Sequence, residues 1–110
     1  MEKEKLNNIA DFTVIKHLPR VKFNLSNNDY CIASAIYTLS HNPSSKFVGW
    51  YYGKIETLGK KFNLGRSTSY NCVNKLISSG LVEKNEETNF LKTTKLWWDE
   101  FESIKLVRSK

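Results

Sequence analysis

The stretch IETLGKKFNLGRSTSYNCVNKLISSGLVEK, residues 55–84, decides how the chain folds. Ile55, Leu58 and Phe62 recur at i, i+3 and i+7, which is one face of a helix. Gly59 lies on the neighbouring stripe, where a glycine costs about 1 kcal/mol against alanine. A second helix packed very close is the usual reason for such a residue. Asn63 can take the left-handed conformation that closes a helix, letting Leu64 turn back into the core. Gly65 or Arg66 opens the next helix, whose buried edge is Ser69, Cys72, Val73 and Leu76 at i, i+3, i+4 and i+7. Gly80 ends it.

The other edge of that second helix carries Arg66, Ser67, Thr68, Tyr70, Asn71, Asn74 and Lys75. Solvated helix faces ordinarily mix Glu with Lys, because opposite charges at (i, i+4) support the helix and keep it soluble. From Thr57 to Val82 there is no Asp or Glu, while Lys60, Lys61, Arg66 and Lys75 all lie there. The plain alternative is a solvated face that happens to lack acids. The rest of the chain weighs against it.

Downstream, LVEK (81–84) and FLKT (90–93) read as two short strands around the turn NEETN. TTKLWWDEFESIKL (93–106) then sets Leu96, Trp97, Phe101 and Ile104 at helical spacing, with Asp99 and Glu100 in an early turn. Trp98 falls off that stripe. Upstream, FVGWYYGK (47–54) reads as a short strand whose aromatics Trp50, Tyr51 and Tyr52 belong to the core rather than to a base-stacking surface. In NLSNNDYCIASAIYTLSHNP, Ser26 precedes a first turn with Asp29 three residues on, a helix-start signature. The run Tyr30–Leu39 is apolar almost all round, so that helix is buried on most sides and ends before Pro43. Residues 12–16 read as a strand or extended arm that Pro19 stops.

The fold class is therefore mainly α with a small β-hairpin (α+β), in one domain. It divides into an N-terminal arm (1–22), a three-helix core with its hairpin (23–94) and a C-terminal helix (95–110).

Composition narrows the function. With 110 residues, 40% hydrophobic and 25% charged, the chain is an ordinary globular one, but its net charge of +6 points to an anionic partner. The longest apolar-or-small run, CIASAIYTL, is shorter than the roughly 20 residues that span a bilayer. MEKEKLNN lacks the apolar core of a signal peptide, so the expected compartment is the cytoplasm. There Cys31 and Cys72 read as small buried hydrophobes rather than a disulfide. His17 and His41 have no zinc-binding spacing with them, and Gly-rich phosphate loops, nucleophile elbows and H-E-x-x-H are missing. No enzyme, metal, cofactor or small-molecule ligand is expected.

Two helices joined by a tight turn and followed by a hairpin resemble a winged helix-turn-helix DNA-binding domain over residues 53–94. With the NNDYCIASAIYTLSHNPSS helix and the GWYYGKIETLGK entry, the chain is most similar to the N-terminal domains of phage or plasmid replication initiators and replisome organisers. Transcription regulators use the same scaffold. The resemblance implies that residues 66–79 form a recognition helix in the major groove of double-stranded DNA. Arg66, Ser67, Thr68, Tyr70, Asn71, Asn74 and Lys75 would then face the groove and its rims, and Lys54, Lys60 and Lys61 would flank it on phosphates. Arg and Asn can engage bases bidentately, while hydroxyls and helix-start N–H groups suit phosphate oxygens. In the wing, Lys84, Asn85 and Asn89 are the candidate donors among the acids Glu83, Glu86 and Glu87. Position 69 usually carries a branched apolar residue in this family, and Ser69 is expected to pack less. A homodimer through the C-terminal helix or the N-terminal arm, and a protein-interaction adapter, are further expectations of the scaffold.

Overall fold

The computed structural model describes residues 13–41 and 49–102. Residues 1–12 of the expected arm, the loop around Pro43, Phe47 and Val48, and Ile104 with the rest of the C-terminal helix lie outside them. Helix α1 spans His17–Lys22, α2 Asn27–Ser40, α3 Ile55–Lys61 and α4 Arg66–Ser78. Strands β1 (Val82–Lys84) and β2 (Leu91–Thr93) follow, then α5 (Lys95–Trp97), which widens into a π-helical turn at Trp98–Glu102. The described chain is thus mainly helical, with one two-stranded antiparallel sheet in the register Val82↔Thr93, Glu83↔Lys92, Lys84↔Leu91.

Helix α2 forms the centre. Its start is a capping box: the Asp29 N–H donates to Ser26 Oγ at 3.0 Å, and the Ser26 N–H donates to Asp29 Oδ2 at 2.8 Å. Ile32, Ala33, Ala35, Ile36 and Leu39 are buried along it, as an all-round apolar run requires. Helices α3 and α4 and strand β2 pack on it. Leu58, Leu76, Leu81 and Trp97 complete the core with no exposed surface.

Three helices end by the same device. In each, a residue with positive φ follows the last turn: Asn24 (57°), Asn63 (59°) and Gly80 (80°). The next residue is a leucine whose N–H donates to the carbonyl five residues back, Leu25 to Arg20 O, Leu64 to Gly59 O and Leu81 to Leu76 O, at 2.9, 2.9 and 3.0 Å. These are Schellman closures, and they satisfy carbonyls that a helix end leaves without partners. The expected stops at Asn63 and Gly80 stand.

Four expectations need correction. Residues 13–16 form no strand, and Pro19 lies in the first turn of α1 rather than stopping an extended segment. A first-turn N–H has no intrahelical acceptor, so proline loses nothing there. The strand expected around Trp50 reduces, in the described residues, to one antiparallel bridge from Tyr51 to Leu91, with N–H···O distances of 2.6 and 3.0 Å. Gly49, at φ 96°, turns the chain just before it. The C-terminal segment is not one α-helix: its π-helical turn lays Phe101 parallel to Trp97, with centroids 4.2 Å apart and planes 15° apart. Trp97 and Phe101 are buried as expected, but Leu96 is 36% exposed, with its side chain beside Gly80.

Candidate functional site

The site is built by the approach of α3 and α4. Ser69, on the inner edge of α4, is fully buried, and its Oγ donates to Gly65 O at 2.8 Å. A methyl group on Gly59 would overlap the Ser69 hydroxyl and sit 2.8 Å from its Cβ. Gly59 is therefore there for close packing. The expectation that Ser69 packs poorly is corrected, since a branched side chain has no room opposite Gly59 at this spacing. Cys72, Val73 and Leu76 fill the rest of the inner edge.

That packing turns the other edge outward. Ser67, Thr68, Asn71 and Asn74 are exposed, and Tyr70 is 37% exposed. No side chain caps the start of α4 at Gly65, and no acid lies in its first turn. Arg66 pairs across the turn with Glu56 of α3, Nε to Oε2 3.2 Å, while its guanidinium lies 5.6 Å from the Tyr70 ring centroid. Lys54 and Lys60 are exposed and Lys61 is half-buried. Lys54, Lys60 and Arg66 line a groove of about 710 Å³ together with Tyr52, Glu56 and Gly65. A second hollow of about 320 Å³ shares Tyr52 and Glu56 with it and runs to Tyr70, Thr88 and Asn89.

Lys75 is not placed as expected. Its ammonium lies 3.3 Å from Asp29 Oδ2, bridging the middle of α4 to the start of α2. Burial opposes the charge on Asp29, but bonds from the Ser26 backbone, the Cys72 thiol, Lys75 and the Ser26 side chain prevail and hold its pKa below the usual value of 3.8. Burial, and then the Cys72–Asp29 hydrogen bond, push the Cys72 thiol up to about 12, where it is inert as a nucleophile. Cys31, half-buried, is raised by burial too, and both cysteines are free. Among the described residues no three His, Cys, Asp or Glu side chains gather to hold a metal ion.

In the hairpin, Lys84 and Asn89 are exposed, and Asn89 has φ 65°. Asn85 is half-buried, and its side-chain oxygen accepts from the Glu87 and Thr88 N–H groups at 2.8 and 3.0 Å. That acceptor shapes the turn. Trp50 and Tyr52 are partly buried, with Lys92 Nζ 4.6 Å from the Trp50 centroid and Phe90 6.2 Å from Tyr52. Trp98, off the buried stripe as expected, is 48% exposed.

Sequence reasoning missed Glu56 and the second role of Asp29. Glu56 stands one residue outside the acid-free stretch, and only the fold of the α3–α4 turn brings it to Arg66. Helical spacing within one element carries no signal for either pair. Comparisons of the chain with protein-family models, with curated proteins and with solved structures return no match. No helix of the described residues is long and apolar enough to cross a membrane.

Proposed function

We propose that the chain is a winged helix-turn-helix module that binds double-stranded DNA, with α4 as the recognition helix in the major groove and the 82–93 hairpin as its wing. The observation that carries this reading is the outer face of α4: Ser67, Thr68, Tyr70, Asn71 and Asn74 point to solvent without an acid among them. A face of amides and hydroxyls matches the donors and acceptors of base edges. Lys54, Lys60 and Arg66 beside it supply salt-sensitive attraction to phosphates. Lys75, tied to Asp29, serves as a strut first and a phosphate contact second. The role follows from the resemblance: replication initiation or transcription control for a phage, plasmid or other mobile element, in the cytoplasm and without catalysis.

The test is binding to random-sequence duplexes across a salt series. Six phosphate contacts lose about a thousandfold in affinity between 50 and 200 mM salt. Asn71→Ala and Arg66→Ala each weaken binding by about tenfold with an unchanged melting temperature. Two variants that bind like the parent would sink the assignment of α4.

A second reading, a protein-interaction adapter or homodimer, is favoured by one observation. Val14, Leu18 and Val21 are 68%, 87% and 62% exposed at the N-terminal side of the fold. Absence of duplex binding at 50 mM salt would leave this reading in place.

A further inference from the structure

The groove at the start of α4 holds a single acid among its cations. Glu56 is the one Asp or Glu between Lys54 and Val82, and it sits in the first turn of α3. Its carboxylate holds Arg66 at 3.2 Å, and the guanidinium rests over Tyr70 at 5.6 Å, on the outer edge of α4. Lys54 and Lys60 line the same groove. A guanidinium offers its donors as a planar fork, and carboxylate and phosphate oxygens compete for the same fork. Two anions cannot share it at close range without repelling each other.

We propose that Glu56 is a gate on Arg66: in the free protein its carboxylate occupies the place on the guanidinium that a DNA phosphate takes in the complex. The gate rests on the DNA-binding reading and adds to it a residue that sets how tightly any duplex is held. Arg66 and Glu56 are 74% and 36% exposed, so the pair is weak and opens readily. Every duplex must open it, whatever its sequence, before a phosphate can take the guanidinium. Affinity for every duplex is lowered alike, and the contacts of Ser67, Thr68 and Asn71 with base edges decide between sites with or without the gate. The bland role for Glu56 is that an acid suits the first turn of a helix. That role has no bearing on Arg66.

The experiment is a double-mutant cycle read by duplex affinity at 50 mM salt, using a random-sequence duplex and parent, Glu56→Gln, Arg66→Ala and the double variant. Asp99→Asn is the control, since it removes the same charge from an exposed side chain on the C-terminal turn. Glu56→Gln tightens binding about fivefold in the parent, the scale of an exposed pair, and leaves affinity unchanged once Arg66 is alanine. Asp99→Asn shifts affinity by less than about twofold. Glu56→Asp, shorter but still charged, binds no more tightly than the parent. Equal tightening with and without Arg66 overturns the gate in favour of simple repulsion, and so does a Glu56→Gln effect no larger than that of Asp99→Asn. If the parent binds duplex and Glu56→Gln changes nothing, the gate alone fails. If neither the parent nor any variant binds duplex, the DNA-binding reading falls and the gate with it.

Discussion

Helices α1 and α4 close with the same backbone turn, yet they meet the rest of the protein in opposite ways. Helix α4 buries Ser69, Cys72, Val73 and Leu76 and turns a polar edge outward. Helix α1 buries no residue and turns Leu18 and Val21 outward. It is held by polar tethers, Lys16 Nζ to Phe101 O, Lys22 to Glu100 at 3.2 Å and Arg20 Nη1 to Leu25 O at 2.7 Å, and by the flanking Ile15 and Phe23 that pack on the core. The contrast teaches that one fold presents two surfaces of different chemistry. On the DNA-binding reading proposed above, α4 meets the hydrated, anionic partner, while α1 leaves Leu18 and Val21 in solvent beside His17 and Lys22.

The largest expected effect breaks the seating of α4. Gly59→Ala forces a methyl into Ser69 and destabilises the fold by about 3 kcal/mol in urea denaturation, the upper range for overpacking. Adding Ser69→Gly recovers part of that loss; a Gly59→Ala protein as stable as its parent would refute the close approach. The next change loosens the strut from α4 to α2. Asp29→Asn removes the charged half of the capping box and the partner of Lys75, costing about 2 kcal/mol.

That strut also depends on pH. Because the folded pKa of Asp29 lies below its unfolded value of 3.8, its contribution is complete above that value and disappears as pH falls through the folded pKa. Melting temperatures from pH 6 down to 2.5 should therefore fall more steeply for the parent than for Asp29→Asn. Parallel curves would mean that Asp29 is not held in this network. The smallest effect sharpens the comparison from the other side. Leu18→Ser with Val21→Ser changes monomer stability by no more than about 0.5 kcal/mol, since neither side chain is buried. In analytical ultracentrifugation the same variant removes any self-association that uses α1.

The parts that could be read from sequence are those encoded locally. The inner edge of α4, the stops at Asn63 and Gly80, the cap at Ser26 and the hairpin around NEETN each depend on residues within one or two turns of each other. The features that escaped depend on distance. Pairing of Lys75 with Asp29, and of Arg66 with Glu56, is decided by how helices seat against one another. A proline can begin a helix or end a strand, and the local pattern around Pro19 did not separate the two. Ser69 reads as a weak core residue until Gly59 is placed against it. Four of the expected contact residues, Ser67, Thr68, Asn71 and Asn74, lie on one exposed face because periodicity alone put them there.

The three leucine-sealed helix ends have a kinetic consequence. A helix whose stop is written into its own last six residues can settle its length before it meets a neighbour. Three such stops leave the chain few ways to misalign α1, α3 and α4 during collapse. Contacts between α3 and α4 also close over a short span of chain. Both features lower the entropy that must be surrendered before native contacts form, which favours faster folding. The bridge from Tyr51 to Leu91, which joins residues far apart along the chain, would form after the contacts of α3 with α4.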